Sequence, residues 1–155
     1  MKHPNRSQPE PVVVFGTRRE LRDDEVAVRG NSMGKQESVS AQVAASPSAV
    51  FSMVTDVSRL PEWNEAITDV VEAPEHLEAG SVWKVRLHAL GQTWVSKSQV
   101  SVIDSVTGRF AYRSQSDDGN PSYVDWEWQV DGDPDGSIVT LTADINPITF
   151  WRKHL

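Results

Sequence analysis

Residues 38–64, SVSAQVAASPSAVFSMVTDVSRLPEWN, switch from one hydrophobic period to another within a few positions, and that switch constrains the fold more than any other part of the chain. Val39, Ala41 and Val43 alternate against Ser40 and Gln42, as one face of a strand does. Ser46 then suits a helix N-cap and Pro47 the first helical position, where its missing N–H is not needed. Val50, Phe51 and Val54 share one helical side by i, i+3 and i+4 spacing, so the short helix must bury that side against a sheet. A second helical piece is expected over Asp56 to Leu60, ended by Pro61, with Trp63 in the turn that follows.

The rest of the chain is strand-rich. Apolar-patterned runs at Ile67–Ala73, Ser81–Ala89, Thr93–Asp104, Arg109–Ser116, Ser122–Asp131 and Ser137–Asn146 are separated by turn residues such as Gly91-Gln92, Thr107-Gly108 and the Asp131–Gly136 cluster. Six consecutive strands with short connections imply an antiparallel meander, and the strand at Val39 to Val43 makes seven. Alternation sets Trp83, Val85 and Leu87 against Lys84, Arg86 and His88, and sets Trp126, Trp128 and Val130 against Asp125, Glu127 and Gln129. One apolar, Trp-rich face results, and two short helices are not enough to cover it.

Further cover is expected after Asn146, where Pro147, Ile148, Trp151 and Leu155 carry the start of an amphipathic helix. At about 1.5 Å per residue the stretch to Leu155 reaches only ~13 Å, whereas crossing a sheet takes roughly 30 Å. The closing helix thus reads as truncated. Three readings follow: a fragment of a longer protein, which is preferred, a homodimer that shares its exposed faces, or an open form. Residues 1–37 show no sustained period and read as a poorly ordered N-terminal extension, with Met33 as a candidate natural start.

The order strand, two short helices, six strands and C-terminal helix resembles the SRPBCC or START-like superfamily, whose members include polyketide cyclase/dehydrase-type proteins and the birch pollen allergens. The resemblance covers residues 38–155 and rests on the Ser-Pro helix start with Val50-Phe51, the LPEW turn at Leu60 to Trp63, Leu77-Gly80-Trp83, and the WEWQV and SIVTLT runs. It implies an α+β helix-grip fold, a seven-stranded curved antiparallel sheet around a long C-terminal helix, with a cavity for lipids, polyketides or other apolar compounds. Members range from cyclases to carriers, so the fold leaves the activity open.

Composition narrows the partners. The net charge of −7 is uneven: residues 1–37 hold seven Lys/Arg against six Asp/Glu, which leaves eight against sixteen of the totals of 15 and 22 for the remainder. An acidic body is a poor match for a phosphate backbone, so no nucleic acid partner is expected. No run approaches the ~20 apolar residues of a bilayer span, so integral membrane association is not expected either. With no cysteine, disulfides, thiolate metal sites and a cysteine nucleophile are excluded, and a cytoplasmic location is the expectation.

Trp83, Trp94, Tyr112, Trp126 and Trp128 point inward by parity, with Leu87 beside them and Trp63 near the expected mouth. These seven are the candidate ligand-binding residues, able to offer flat apolar area with N–H and O–H handles; core packing is the preferred reading of any one aromatic taken singly, and ligand contact that of the set if a cavity exists. No catalytic residue is assigned: Arg86 and His88 fall on the opposite face, His76 lies in a loop, and Tyr112 is the one inward titratable group. The four scattered His and the Asp-rich turn give no metal-ligand spacing, and no cofactor is expected. The leading reading is a binder or carrier of a hydrophobic small molecule. A polyketide cyclase or dehydratase and a protein-interaction module using the exposed sheet face are the alternatives, so whether the protein is an enzyme stays open.

Overall fold

A computed structural model describes residues 34–148. Seven strands, β1 (Lys35–Val43), β2 (Ile67–Glu72), β3 (Val82–Ala89), β4 (Gln92–Asp104), β5 (Arg109–Ser116), β6 (Tyr123–Asp133) and β7 (Gly136–Asn146), form one antiparallel sheet in the order β1-β7-β6-β5-β4-β3-β2. The first and last strands of the sequence are neighbours, with Val39 opposite Leu141 and Val43 opposite Ser137. β1 starts at Lys35, three residues ahead of the alternation at Ser38, because pairing to β7 continues through Lys35↔Ile145 and Gln36↔Asp144. Residues 149–155, where most of the closing helix is expected, and nearly all of the N-terminal extension lie outside the described residues.

Between β1 and β2 run α1 (Pro47–Thr55), a 3-10 turn (Val57–Arg59) and α2 (Leu60–Trp63). The Ser46 hydroxyl accepts from Ala49 N at 3.2 Å and Pro47 occupies the first turn, as the sequence predicts. Val50, Phe51 and Val54 are the buried side of α1, which packs on β6 and β7. One expectation is corrected here. Pro61 does not end a helix; it sits in the first turn of α2, where the lack of an N–H costs nothing, and Trp63 is the last residue of that helix rather than part of the turn after it.

The turns follow from local chemistry. Leu90 and Gly91 link β3 to β4 with φ of 53° and 73°, the positive-φ pair that a two-residue hairpin requires. Before β5, the Asp104 carboxylate accepts from Val106 N at 2.9 Å and Thr107 N at 3.4 Å. Gly108 closes that turn at φ 72°, and a Cβ there would lie 2.1 Å from Val130 O, so only glycine fits. The β6–β7 turn is tighter than the six-residue Asp131–Gly136 cluster suggests: pairing runs out to Asp133↔Gly136, and Pro134-Asp135 alone connect the strands.

The inner face of the sheet divides into two halves. Towards α1 it is filled: Phe110, Val130 and Val139 are at most 4 % exposed and meet Val50 and Val54. Ser137, fully buried, donates to Ala45 O at 2.6 Å and fastens β7 to the approach to α1. Burying large apolar side chains contributes about 1.5–3 kcal/mol each to the stability of this half. Along the same strands, burial then relaxes from Phe110 through Tyr112 to Ser114, and from Val130 to Trp126. The half around these residues is where the helices leave space.

Candidate functional site

That space is a cavity of about 550 Å³. Its wall comes from β1 (Val39), α2 and the residues after it (Leu60, Trp63, Asn64, Glu65, Ala66), β2 and β3 (Ile67, Trp83, Val85, Leu87), β4 and β5 (Ser96, Ser98, Tyr112, Ser114), and β6 and β7 (Trp126, Trp128, Leu141). Six of the seven predicted residues therefore come together: Trp63, Trp83, Leu87, Tyr112, Trp126 and Trp128. Trp94 does not join them. It is opposite Leu87 in the register and so on the expected face, but it lies towards the β3–β4 hairpin, outside the wall and 36 % exposed.

The aromatic residues form a connected set. Tyr112 sits 4.7 Å from Trp83 in an edge contact and 6.4 Å from Trp126 in a stacked one, while Trp63 meets Trp128 edge-on at 5.8 Å. Their polar ends are mostly occupied within the chain: Trp126 Nε1 donates to Ser114 Oγ at 2.8 Å, and Trp128 Nε1 donates to Tyr112 Oη at 3.4 Å. Trp63 Nε1 is buried with no hydrogen-bond partner among the described residues. Burial pushes the Tyr112 hydroxyl up to about 12, against a smaller opposite pull from the Trp128 N–H, so at neutral pH it is a neutral donor and acceptor.

Within the described wall the only other titratable group is Glu65, which is exposed. Arg86 and His88 lie outside the cavity, as parity predicts: Arg86 pairs with both Asp69 oxygens at 2.8 and 2.7 Å, and His88 Nδ1 is 2.8 Å from Thr93 Oγ1. The β-bulges fall in β2 and β4 and leave the β3 parity intact. His76 lies in the β2–β3 loop, beside Asp56 and Glu75 in a separate cleft of about 500 Å³. Among the described residues no group of three or more His, Asp or Glu is placed to hold a metal ion. No helix among them is long and apolar enough to cross a membrane.

Sequence reasoning missed the serines. Ser96 and Ser98 are 8 % and 3 % exposed, and with Ser114 they put three hydroxyls into a wall that is otherwise aromatic and aliphatic. Their signal was parity: Ser96 and Ser98 share the phase of Val100, and Ser114 that of Phe110 and Tyr112. A hydrophobic alternation does not register a serine, so the inward phase is legible only at its apolar members.

Residues 36–154 match the family described as polyketide cyclase / dehydrase and lipid transport. The chain belongs to that family. Among solved structures it is similar to the Zhui aromatase/cyclase from Streptomyces sp. R1128, at 19 % identity and a TM-score of 0.62, over 79 % of this chain and 73 % of that one. It is similar to Ara h 8.0201 at 19 % identity and a TM-score of 0.61, covering 76 % and 80 % of the two chains. Major latex-like protein 151 from Panax ginseng matches at 14 % identity and a TM-score of 0.62, covering 75 % and 81 %. At these identities the likeness is one of fold, and it places this member of the family in the helix-grip α+β class. No curated protein matches the chain in sequence.

Proposed function

We propose that this family member binds or carries a hydrophobic small molecule, lipid- or polyketide-like, in the cavity beside Trp83 and Trp126. The observation that carries the reading is the wall itself: about 550 Å³ lined by four Trp, one Tyr and a set of aliphatic side chains. A volume of this size and lining falls in the ordinary range of small-molecule sites, roughly 300–1,000 Å³ and mostly apolar. The family description, which includes both cyclase/dehydrase and lipid transport, supports the ligand class and leaves the chemistry open. A cyclase or dehydratase would need a group to move a proton, and the described wall offers only the Tyr112 hydroxyl and the Glu65 carboxyl. Binding without turnover needs neither.

Titration with Nile red, a neutral apolar dye, tests the reading. Saturable binding of one dye per chain, accompanied by quenching of the tryptophan emission, is expected. Weak, unsaturable binding with no change in tryptophan emission would sink it. Native mass spectrometry of the purified protein adds the ligand carried from the cell and distinguishes monomer from homodimer.

A further inference from the structure

We propose that Ser98 and Ser114 form a hydrogen-bonding subsite in the cavity wall for an uncharged carbonyl oxygen on a flat ring ligand. The inference rests on the cavity reading above and goes further, to the polar feature that the ligand must carry. Ser98 on β4 and Ser114 on β5 are direct register partners, so their side chains leave the same face of the sheet, with Cβ atoms about 4.5–5.5 Å apart. Both line the cavity.

Their hydrogen-bonding capacity is unequally used. Ser114 Oγ accepts from Trp126 Nε1 at 2.8 Å, which fixes the oxygen and leaves its own O–H to donate. Ser98 is only 3 % exposed, yet its hydroxyl has no hydrogen-bond partner among the described residues. The Ser98 oxygen is not among the fully buried polar atoms left without a partner in the described residues, so it opens to the cavity, where a ligand oxygen can reach it. Two O–H donors side by side, one anchored and one idle, match an oxygen with two lone pairs, which a carbonyl supplies. Trp83 is opposite Ser98 on the other side, and Trp126 adjoins Ser114, so a ring bearing that oxygen lies between indoles. The charge of the ligand follows from the same wall. Among the described lining residues there is no Lys, Arg or His to meet an anion, and two neutral hydroxyls are a poor exchange for the hydration of a carboxylate.

Fluorene, fluorenone and fluorene-9-carboxylate share one ring frame and separate these features. Tryptophan quenching by each, on the full chain and on Ser98→Ala, Ser98→Thr and Ser114→Ala, gives the dissociation constants. Fluorenone is expected to bind about fivefold to tenfold more tightly than fluorene, as one or two net hydrogen bonds allow. Ser98→Ala should cut that preference to about threefold or less without changing fluorene binding, which also reports that the variant is folded, and Ser98→Thr should keep it. Equal affinity for fluorene and fluorenone, a preference undiminished by Ser98→Ala, or tighter binding of the carboxylate would each overturn the subsite while the cavity reading stands. If none of the three compounds binds, the cavity reading itself fails and the subsite with it.

Discussion

Trp126 Nε1 donates to Ser114 Oγ across 2.8 Å and so ties the indole of β6 to the hydroxyl of β5 two rows from the filled core. The bond holds the Trp126 ring at a fixed angle in the cavity wall. A double-mutant cycle of Ser114→Ala and Trp126→Phe should give a coupling energy of about 0.5–1.5 kcal/mol, the ordinary net value of such a bond. Urea denaturation of the four proteins measures it, and additive losses would mean that the bond contributes no net stability.

Gly108 and Leu90 both hold positive φ, and they should respond in opposite directions. At Gly108 a Cβ would lie 2.1 Å from Val130 O and 3.1 Å from Val130 C, and backbone cannot move aside as a flexible side chain can. Gly108→Ala should therefore cost at least about 2 kcal/mol, from the left-handed backbone and the clash together. Leu90, fully exposed at φ 53°, bears the same backbone penalty with no packing in return. Leu90→Asn should stabilise the protein by about 0.5–1 kcal/mol, because asparagine tolerates this turn position. The two denaturation midpoints, read in opposite directions from wild type, check the pair.

Much of this fold was legible because alternation survives burial. The seven strands, the Ser46 cap and the buried side of α1 follow from period and capping chemistry, which act over a few residues. Pro61 was misread because a proline both ends one helix and starts another, and the sequence does not say which N–H is dispensable. In the cavity, the aromatic residues were found by size and phase. Trp94 has the right phase and still lies outside the wall, since parity fixes the face of a residue but not how far along the strand the cavity extends. The serines failed for the opposite reason: their position is right and their side chains carry no hydrophobic signal.

Tyr112 gives the protein a pH dependence on the alkaline side. Its hydroxyl is pushed up to about 12 from an ordinary value of 10.0 by burial, so the folded state holds the proton more tightly than the unfolded chain. The resulting stabilisation is complete below the unfolded value and is lost as pH rises through the folded one, that is, from about 10 to about 12. Tyr112→Phe cannot titrate. The gap in urea midpoint between wild type and this variant should therefore shift against wild type as pH rises through that window, other titrations being common to both. A gap that stays constant from about pH 9 to about pH 11.5 would show that Tyr112 ionises as freely folded as unfolded.

Trp94 and Trp126 provide the sharpest division between facing the cavity and lining it. Both are on the inner face, but Trp126 is in the wall and bonded to Ser114, whereas Trp94 stands over the end of β4 with more than a third of its surface in solvent. Replacing Trp126 by Ala removes ring area that a bound molecule would cover, and about a tenfold loss of Nile red affinity is expected from the contact area of one aromatic side chain. Trp94→Ala removes a ring outside the wall that a molecule held in the cavity would not touch, and affinity should stay within about twofold, at a stability cost below about 1 kcal/mol. Parallel dye titrations of the two variants decide it. Equal losses would mean that the bound molecule extends past Leu87 to the β3–β4 hairpin, so that the cavity is only the inner part of a longer site.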